Sequence, residues 1–167
     1  MKATIGPGNA KELEEQINSY IAKYEPKHQP LIRALRRTLR RRFPTAQELV
    51  YDYSKFFVIG YSATQRGSDS IVALAAGADG VKLYFSYLAK LPDPKKILLG
   101  SGKQTRYIRV ESDKVLARPE VKALLTAASA RAKFPLEKTG SGNVVIKSNS
   151  AIRKTRRRPK SAKRNPK

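Results

Sequence analysis

The chain has no cysteine and no tryptophan, one histidine and one methionine. Without cysteine there is no disulfide framework of the kind that staples small secreted scaffolds, no Cys/His zinc site and no thiol nucleophile. A triad that needs histidine has only His28 to draw on. Long hydrophobic runs are missing too. The longest, Ile71 to Ala78, is eight residues, against the ~20 that a membrane-spanning helix needs. The opening stretch, Met1-Lys2-Ala3-Thr4-Ile5-Gly6-Pro7-Gly8, lacks the apolar core of a signal peptide. These absences lead to the expectation of a cytoplasmic protein with no membrane partner. Acidic residues are scarce: 13 Asp and Glu stand against 35 Lys and Arg in 167 residues, a formal net charge of +22. A surplus of that size points to a polyanionic partner.

The surplus is unevenly placed. Residues 138–167 carry 11 Lys and Arg and no acid, so half of the net charge sits in the last 30 residues. Beyond Phe134-Pro135 come Gly140-Ser141-Gly142, Pro159 and Pro166, with few large apolar side chains. Such a stretch buries too little surface to offset its ordering entropy. The expected organisation is a folded domain over 1–137 and a disordered basic tail over 138–167, with Val144-Val145-Ile146 as the one place where a short edge strand fits.

Within 1–137, Asn9 ahead of Ala10-Lys11-Glu12 reads as a helix cap. Leu13, Ile17, Tyr20, Ile21 and Tyr24 follow at helical spacing up to Pro26. A second helix opens at Pro30, a favoured first-turn residue. Its apolar stripe is Leu31, Ile32, Leu35, Leu39 and Phe43. Its other face is Arg33, Arg36, Arg37, Arg40, Arg41 and Arg42, with no acid nearby in sequence. Period-two segments then predict strands around 48–53, 55–61, 70–76, 81–86 and 107–111. In the fourth, Val81, Leu83 and Phe85 alternate with Lys82, Tyr84 and Ser86, and Gly77-Ala78-Asp79-Gly80 before it reads as a hairpin turn. A last helix starts near Pro119 with Val121, Leu124, Leu125 and Ala128 on its stripe. The fold class expected is α+β: a two-layer sandwich in which N-terminal and C-terminal helices flank an antiparallel meander of about five strands and cover one of its faces.

Three stretches resemble a known family. They are Glu48-Leu49-Val50-Tyr51-Asp52-Tyr53 with the phenylalanines after it, Gly80-Val81-Lys82-Leu83-Tyr84-Phe85 with Leu91-Pro92-Asp93-Pro94, and Leu98-Leu99-Gly100-Ser101-Gly102-Lys103-Gln104-Thr105-Arg106-Tyr107-Ile108. Together they are similar to the YdhG-like family, a bacterial domain of unknown function, over roughly residues 10–133. Asp52 stands where that family usually has a glycine. The resemblance implies a frataxin-like arrangement and no established activity. Some relatives are regarded as iron chaperones of frataxin type, which makes an intracellular iron chaperone the alternative function.

Gly100-Ser101-Gly102-Lys103-Gln104 invites comparison with a P-loop. That motif needs glycine at 97 and Ser or Thr at 104, and the chain has Ile97 and Gln104. Two other readings fit: a plain turn into the fifth strand, or a nest of backbone N–H groups that holds a small anion. In the second, Gly100, Ser101, Gly102, Lys103 and Arg106 form the site, with Lys82 and Tyr84 lining it from the sheet. Metal chemistry has little to build on. Glu12 and Glu15 suit a helix N-terminus for dipole reasons, so no metal and no other cofactor is expected. No constellation of catalytic residues stands out. The strongest signal is electrostatic: Arg153, Lys154, Arg156, Arg157, Arg158, Lys160, Lys163 and Arg164 would bind nucleic acid, or another polyanion, by releasing its condensed counterions without reading sequence. The expected function is a non-catalytic binding module, holding a small anion in the domain and nucleic acid through the tail.

Overall fold

A computed structural model describes residues 7–86 and 90–148. The nucleic-acid-binding residues expected between Arg153 and Arg164 lie outside the described residues. The order is α1 (Pro7–Ile21), α2 (Gln29–Arg42), β1 (Gln47–Asp52), β2 (Phe56–Ser62), β3 (Ser70–Gly77), β4 (Gly80–Ser86), β5 (Thr105–Arg109), α3 (Pro119–Ala130) and β6 (Val144–Ser148), with short 3-10 turns at Gly67–Asp69 and Asp113–Ala117.

Local chemistry sets most of these limits. Pro30 lies in the first turn of α2, where its missing N–H costs nothing. The chain leaves the helix at Phe43, whose N–H bonds to the Leu39 carbonyl, and Pro44 follows. Arg40, Arg41 and Arg42 in the last turn suit the negative end of the helix dipole. Gly77 pairs with Gly80 around Ala78-Asp79, and Gly80 takes a φ of 106° that a side chain would strain. Asn9 lies inside α1 rather than at its cap, because the helix already includes Pro7.

The α+β two-layer architecture is as expected, but the sheet is larger and mixed. It has six strands in the order β5-β4-β3-β2-β1-β6. β1 to β5 form the antiparallel meander, and β6 runs parallel to β1 with Glu48 opposite Val144 and Val50 opposite Ile146. Residues 138–148 therefore do not belong to a tail. Two things overcome the poor composition of this stretch. The β-branched run Val144-Val145-Ile146 fits a pleated surface, and Val144 and Ile146 pack against the core. Gly142 also lets the chain pass closely by the preceding loop: a Cβ built there would overlap the carbonyl of Ala46. The Gly142 N–H donates to the Pro44 carbonyl at 3.0 Å, and the Glu48 N–H to the Asn143 carbonyl at 2.8 Å.

All three helices pack on one face of the sheet. Ile17 and Ile21 of α1, Ile32, Leu35 and Leu39 of α2, and Val121, Leu124 and Leu125 of α3 are buried against Phe57, Ile59, Leu74, Leu83 and Phe85. The register places a second row on the opposite face. Tyr107 pairs with Tyr84, Tyr84 with Ala73, Ala73 with Gly60, and Gly60 with Leu49. No described α-helix covers that outer face, and the 3-10 turn at Gly67–Asp69 stands against Tyr51 on it.

Candidate functional site

The arginine-rich side of α2 is not one uniform cationic face. Arg36 is buried, 7% exposed, one position round the helix from Leu35. Its Nε and Nη2 donate to Glu48 at 3.0 and 3.1 Å, and its Nη1 and Nη2 donate to Glu14 at 2.7 and 2.8 Å. Arg40 adds contacts to Glu48 at 3.2 Å and Glu14 at 3.4 Å. The Tyr61 hydroxyl donates to Glu48 at 3.1 Å. These six arginines were expected to lack acidic neighbours. The register corrects that: Glu48 shares the helix-facing side of β1 with Val50, and Glu14 reaches across from α1.

This cluster ties α1, α2, β1 and β2 into one network of paired charge. The hydrogen bonds from Arg36 hold Glu14 below its ordinary 4.5 against some desolvation. Burial opposes the charge on Arg36, but hydrogen bonds to Glu14 and Glu48 more than offset it and raise its affinity for a proton. Burial, and then the neighbouring Glu48 charge, push the Tyr61 phenol well above its ordinary value. Glu14, Arg36 and Tyr61 are each moved further from neutrality, which suits groups that hold elements together by paired charge.

The remaining arginines face outward. Arg33 reaches Asn18 at 3.3 Å, and Arg42 donates to the Thr126 hydroxyl at 2.6 Å. Arg37 and Arg41 are exposed one helical turn apart. Between α2 and α3 lies an open groove of about 450 Å³. Its floor is Leu39, Leu116 and Leu125, and its walls carry Arg41, Arg42, Lys122, Thr38 and Thr126. No carboxylate lines it. Lys122 and Thr126 were not legible as partners of α2, because only packing of α3 beside it brings them there.

The expected small-anion site is split between two sides of the sheet. Lys82 and Tyr84 lie on the outer face together with Tyr107 and Arg109, as their alternation requires. Arg106 instead pairs with Phe85 and shares the opposite parity with Ile108. Its Nε donates to the Gly102 carbonyl at 3.1 Å, so the turn offers this cation an acceptor. The Lys82 ammonium binds Asp79 and stands 5.1 Å from the centroid of the Tyr107 ring. That hydrogen bond raises the Lys82 pKa and lowers that of Asp79. Gly100, at a φ of 94°, packs beside the Tyr107 ring, and Leu99 exchanges backbone hydrogen bonds with Tyr107. Ser101 and Lys103 are exposed at this rim.

Among the described residues no group of three or more His, Cys, Asp or Glu is placed to hold a metal ion. Glu12 and Glu15 are exposed on α1, and Glu14 between them is held by Arg36. No described helix is long and apolar enough to cross a membrane. No family model, curated protein or solved structure matches the chain.

Proposed function

We propose that the protein is a non-catalytic nucleic-acid-binding module that holds phosphate backbones by charge. The observation that carries this reading is the groove between α2 and α3, where Arg41, Arg42 and Lys122 converge over an apolar floor with no carboxylate in the lining. Three cations held on two packed helices form a preorganised phosphate clamp, and guanidinium groups suit phosphate oxygens in pairs. The sequence adds a second basic element: residues 149–167 carry nine Lys and Arg without one acid. Both elements act on the backbone, so binding follows counterion release and is indifferent to sequence. The likeness to YdhG-like domains brings no activity of its own to this reading.

Affinity for a duplex of about 20 base pairs, measured against salt, tests it. The full chain should show a steep linear fall of log affinity with log salt, the same for unrelated sequences. A chain ending at Ser148 should bind more weakly with a shallower slope. Arg41→Glu with Lys122→Glu should weaken the truncated chain further, by tenfold or more, if the groove is a clamp. Equal affinity in all three proteins would sink the proposal.

A further inference from the structure

The outer face of the sheet is unlike the rest of the surface. It carries five of the chain's 13 aromatic residues: Tyr84 and Tyr107 towards one edge, and Tyr51, Tyr53 and Phe56 towards the other. The first pair has ring centroids 5.3 Å apart. In the second group Tyr51 and Tyr53 lie nearly parallel at 6.2 Å, and Tyr53 and Phe56 are 4.4 Å apart. Phe56 is 45% exposed, a large apolar side chain open to solvent with no core role. Between the two groups the outward-facing positions are the half-buried Ala73, Ala75 and Val58, while Gly60 and Leu49 on the same face are buried, with the Ser70 side chain against Gly60. The result is a partly covered face with aromatic groups at both sides, where Gly67 of the 3-10 turn stands against the Tyr51 hydroxyl.

The charge around this face is mostly positive. Arg109 shares the outward parity of Tyr107, Lys147 lies at the irregularity in the pairing of the edge strand β6 with β1, and both are exposed. Lys103 is exposed on the turn that packs beside Tyr107. Two acids stand at this end: Asp79, paired with Lys82, and the exposed Glu111 beside Arg109. An apolar protein partner would gain nothing from this rim, and an acidic one would leave the rings without flat partners. A polyanion that also carries flat rings matches both features.

We infer that this face binds single-stranded nucleic acid, stacking unpaired bases on Tyr84 and Tyr107 at one side and on Tyr51, Tyr53 and Phe56 at the other, with phosphates towards Lys103, Arg109 and Lys147. Every base has a π-face, so such a platform tolerates sequence. Three strand spacings separate β4 from β1, roughly 14 Å. That is about four nucleotides at the ~3.4 Å spacing of a stacked strand. A duplex hides its base faces in its own stack and cannot use the rings. The inference rests on the nucleic-acid reading above but uses the opposite side of the molecule from the α2–α3 groove, so the two fail separately.

The test uses the full chain and three labelled ligands of about 15 nucleotides or base pairs: a homothymidine strand, an abasic strand with the same phosphates, and a duplex. The thymidine strand should bind about tenfold or more tighter than the abasic strand. It should also quench tyrosine emission, which no tryptophan masks. Tyr84→Leu with Tyr107→Leu should remove that preference and leave duplex affinity unchanged. Tyr84→Phe and Tyr107→Phe keep the rings and should keep the preference. Phe56→Ala, at an exposed position, should weaken the thymidine strand without lowering the melting temperature. Equal affinity for thymidine and abasic strands, or a preference that survives the double leucine variant and Phe56→Ala, overturns the inference and leaves the duplex reading standing. Binding of polyglutamate as tight as that of the thymidine strand overturns it as well. No binding to any of the three nucleic-acid ligands overturns both.

Discussion

Glu14 sits where the fold can respond to acid. Its carboxylate accepts from Arg36 at 2.7 and 2.8 Å, and those bonds hold its proton affinity below the ordinary value. A group that titrates lower when folded than when unfolded stabilises the fold fully at neutral pH and loses that contribution as pH falls below about 4.5. Denaturant midpoints measured from pH 7 to pH 3 should therefore fall at the acid end, and Glu14→Gln should be less stable at pH 7 and flatter across that window. A profile identical to that of the parent would mean that Glu14 contributes nothing through its charge. Gly142 is a residue of another kind. It stabilises by what it lacks, since any Cβ there meets the Ala46 carbonyl backbone, which has no flexible end to move aside. Gly142→Ala should cost about 2 kcal/mol or more, read by chemical denaturation. A loss under ~0.5 kcal/mol would show that the loop shifts freely.

At the scale of elements, β6 decides where the domain ends. A chain cut after Glu137 loses the strand beside β1, the half-buried Val144 and Ile146, and the bonds at Gly142 and Asn143. It should be less stable than a chain cut after Ser148 by about 2 kcal/mol or more, from the apolar area alone. Equal melting of the two would show that β6 adds nothing. Most of the fold was legible because its pattern is local. The α2 stripe, the β4 alternation and the turn at 77–80 each follow from residues a few positions apart. β6 was marginal because a five-residue run carries little pattern, and its pairing depends on a strand some 95 residues earlier. β1 misled in a different way. Its acids Glu48 and Asp52 face the helices, where Arg36 and Lys23 meet them, while Leu49 and Tyr51 point to the other side. No single-strand pattern shows that a carboxylate has a buried partner on a helix. The candidate site was legible as charge and illegible as place, because which arginines are used internally is fixed only by packing.

Over the whole molecule, the two proposed binding surfaces are back to back. The α2–α3 groove opens on the helix layer, and the aromatic face is the side of the sheet away from the α-helices. A net charge of +22 on 167 residues also repels itself. The buried Arg36–Glu48 pair is shielded from ions, but the exposed arginines and lysines are not. Raising ionic strength from about 0.05 M to 0.5 M should therefore raise the melting temperature by several degrees. A melting temperature that falls with salt would mean that surface ion pairs such as Lys95–Glu120 outweigh the repulsion.

The parallel strand β6 also has a meaning during biosynthesis. β1 leaves the ribosome long before β6 exists, and the stretch from Asp52 to Val144 takes roughly 5–20 s to make at ~5–20 residues per second. Through that interval the nascent meander offers the open backbone edge of β1, with Leu49 and Tyr51 beside it, to any strand that drifts past. Once β6 docks, the sheet's new margin carries the exposed Lys147, a charge that discourages further strand addition. The last described strand thus works as a closing cap, and the newborn chain is most vulnerable to sticking just before it arrives.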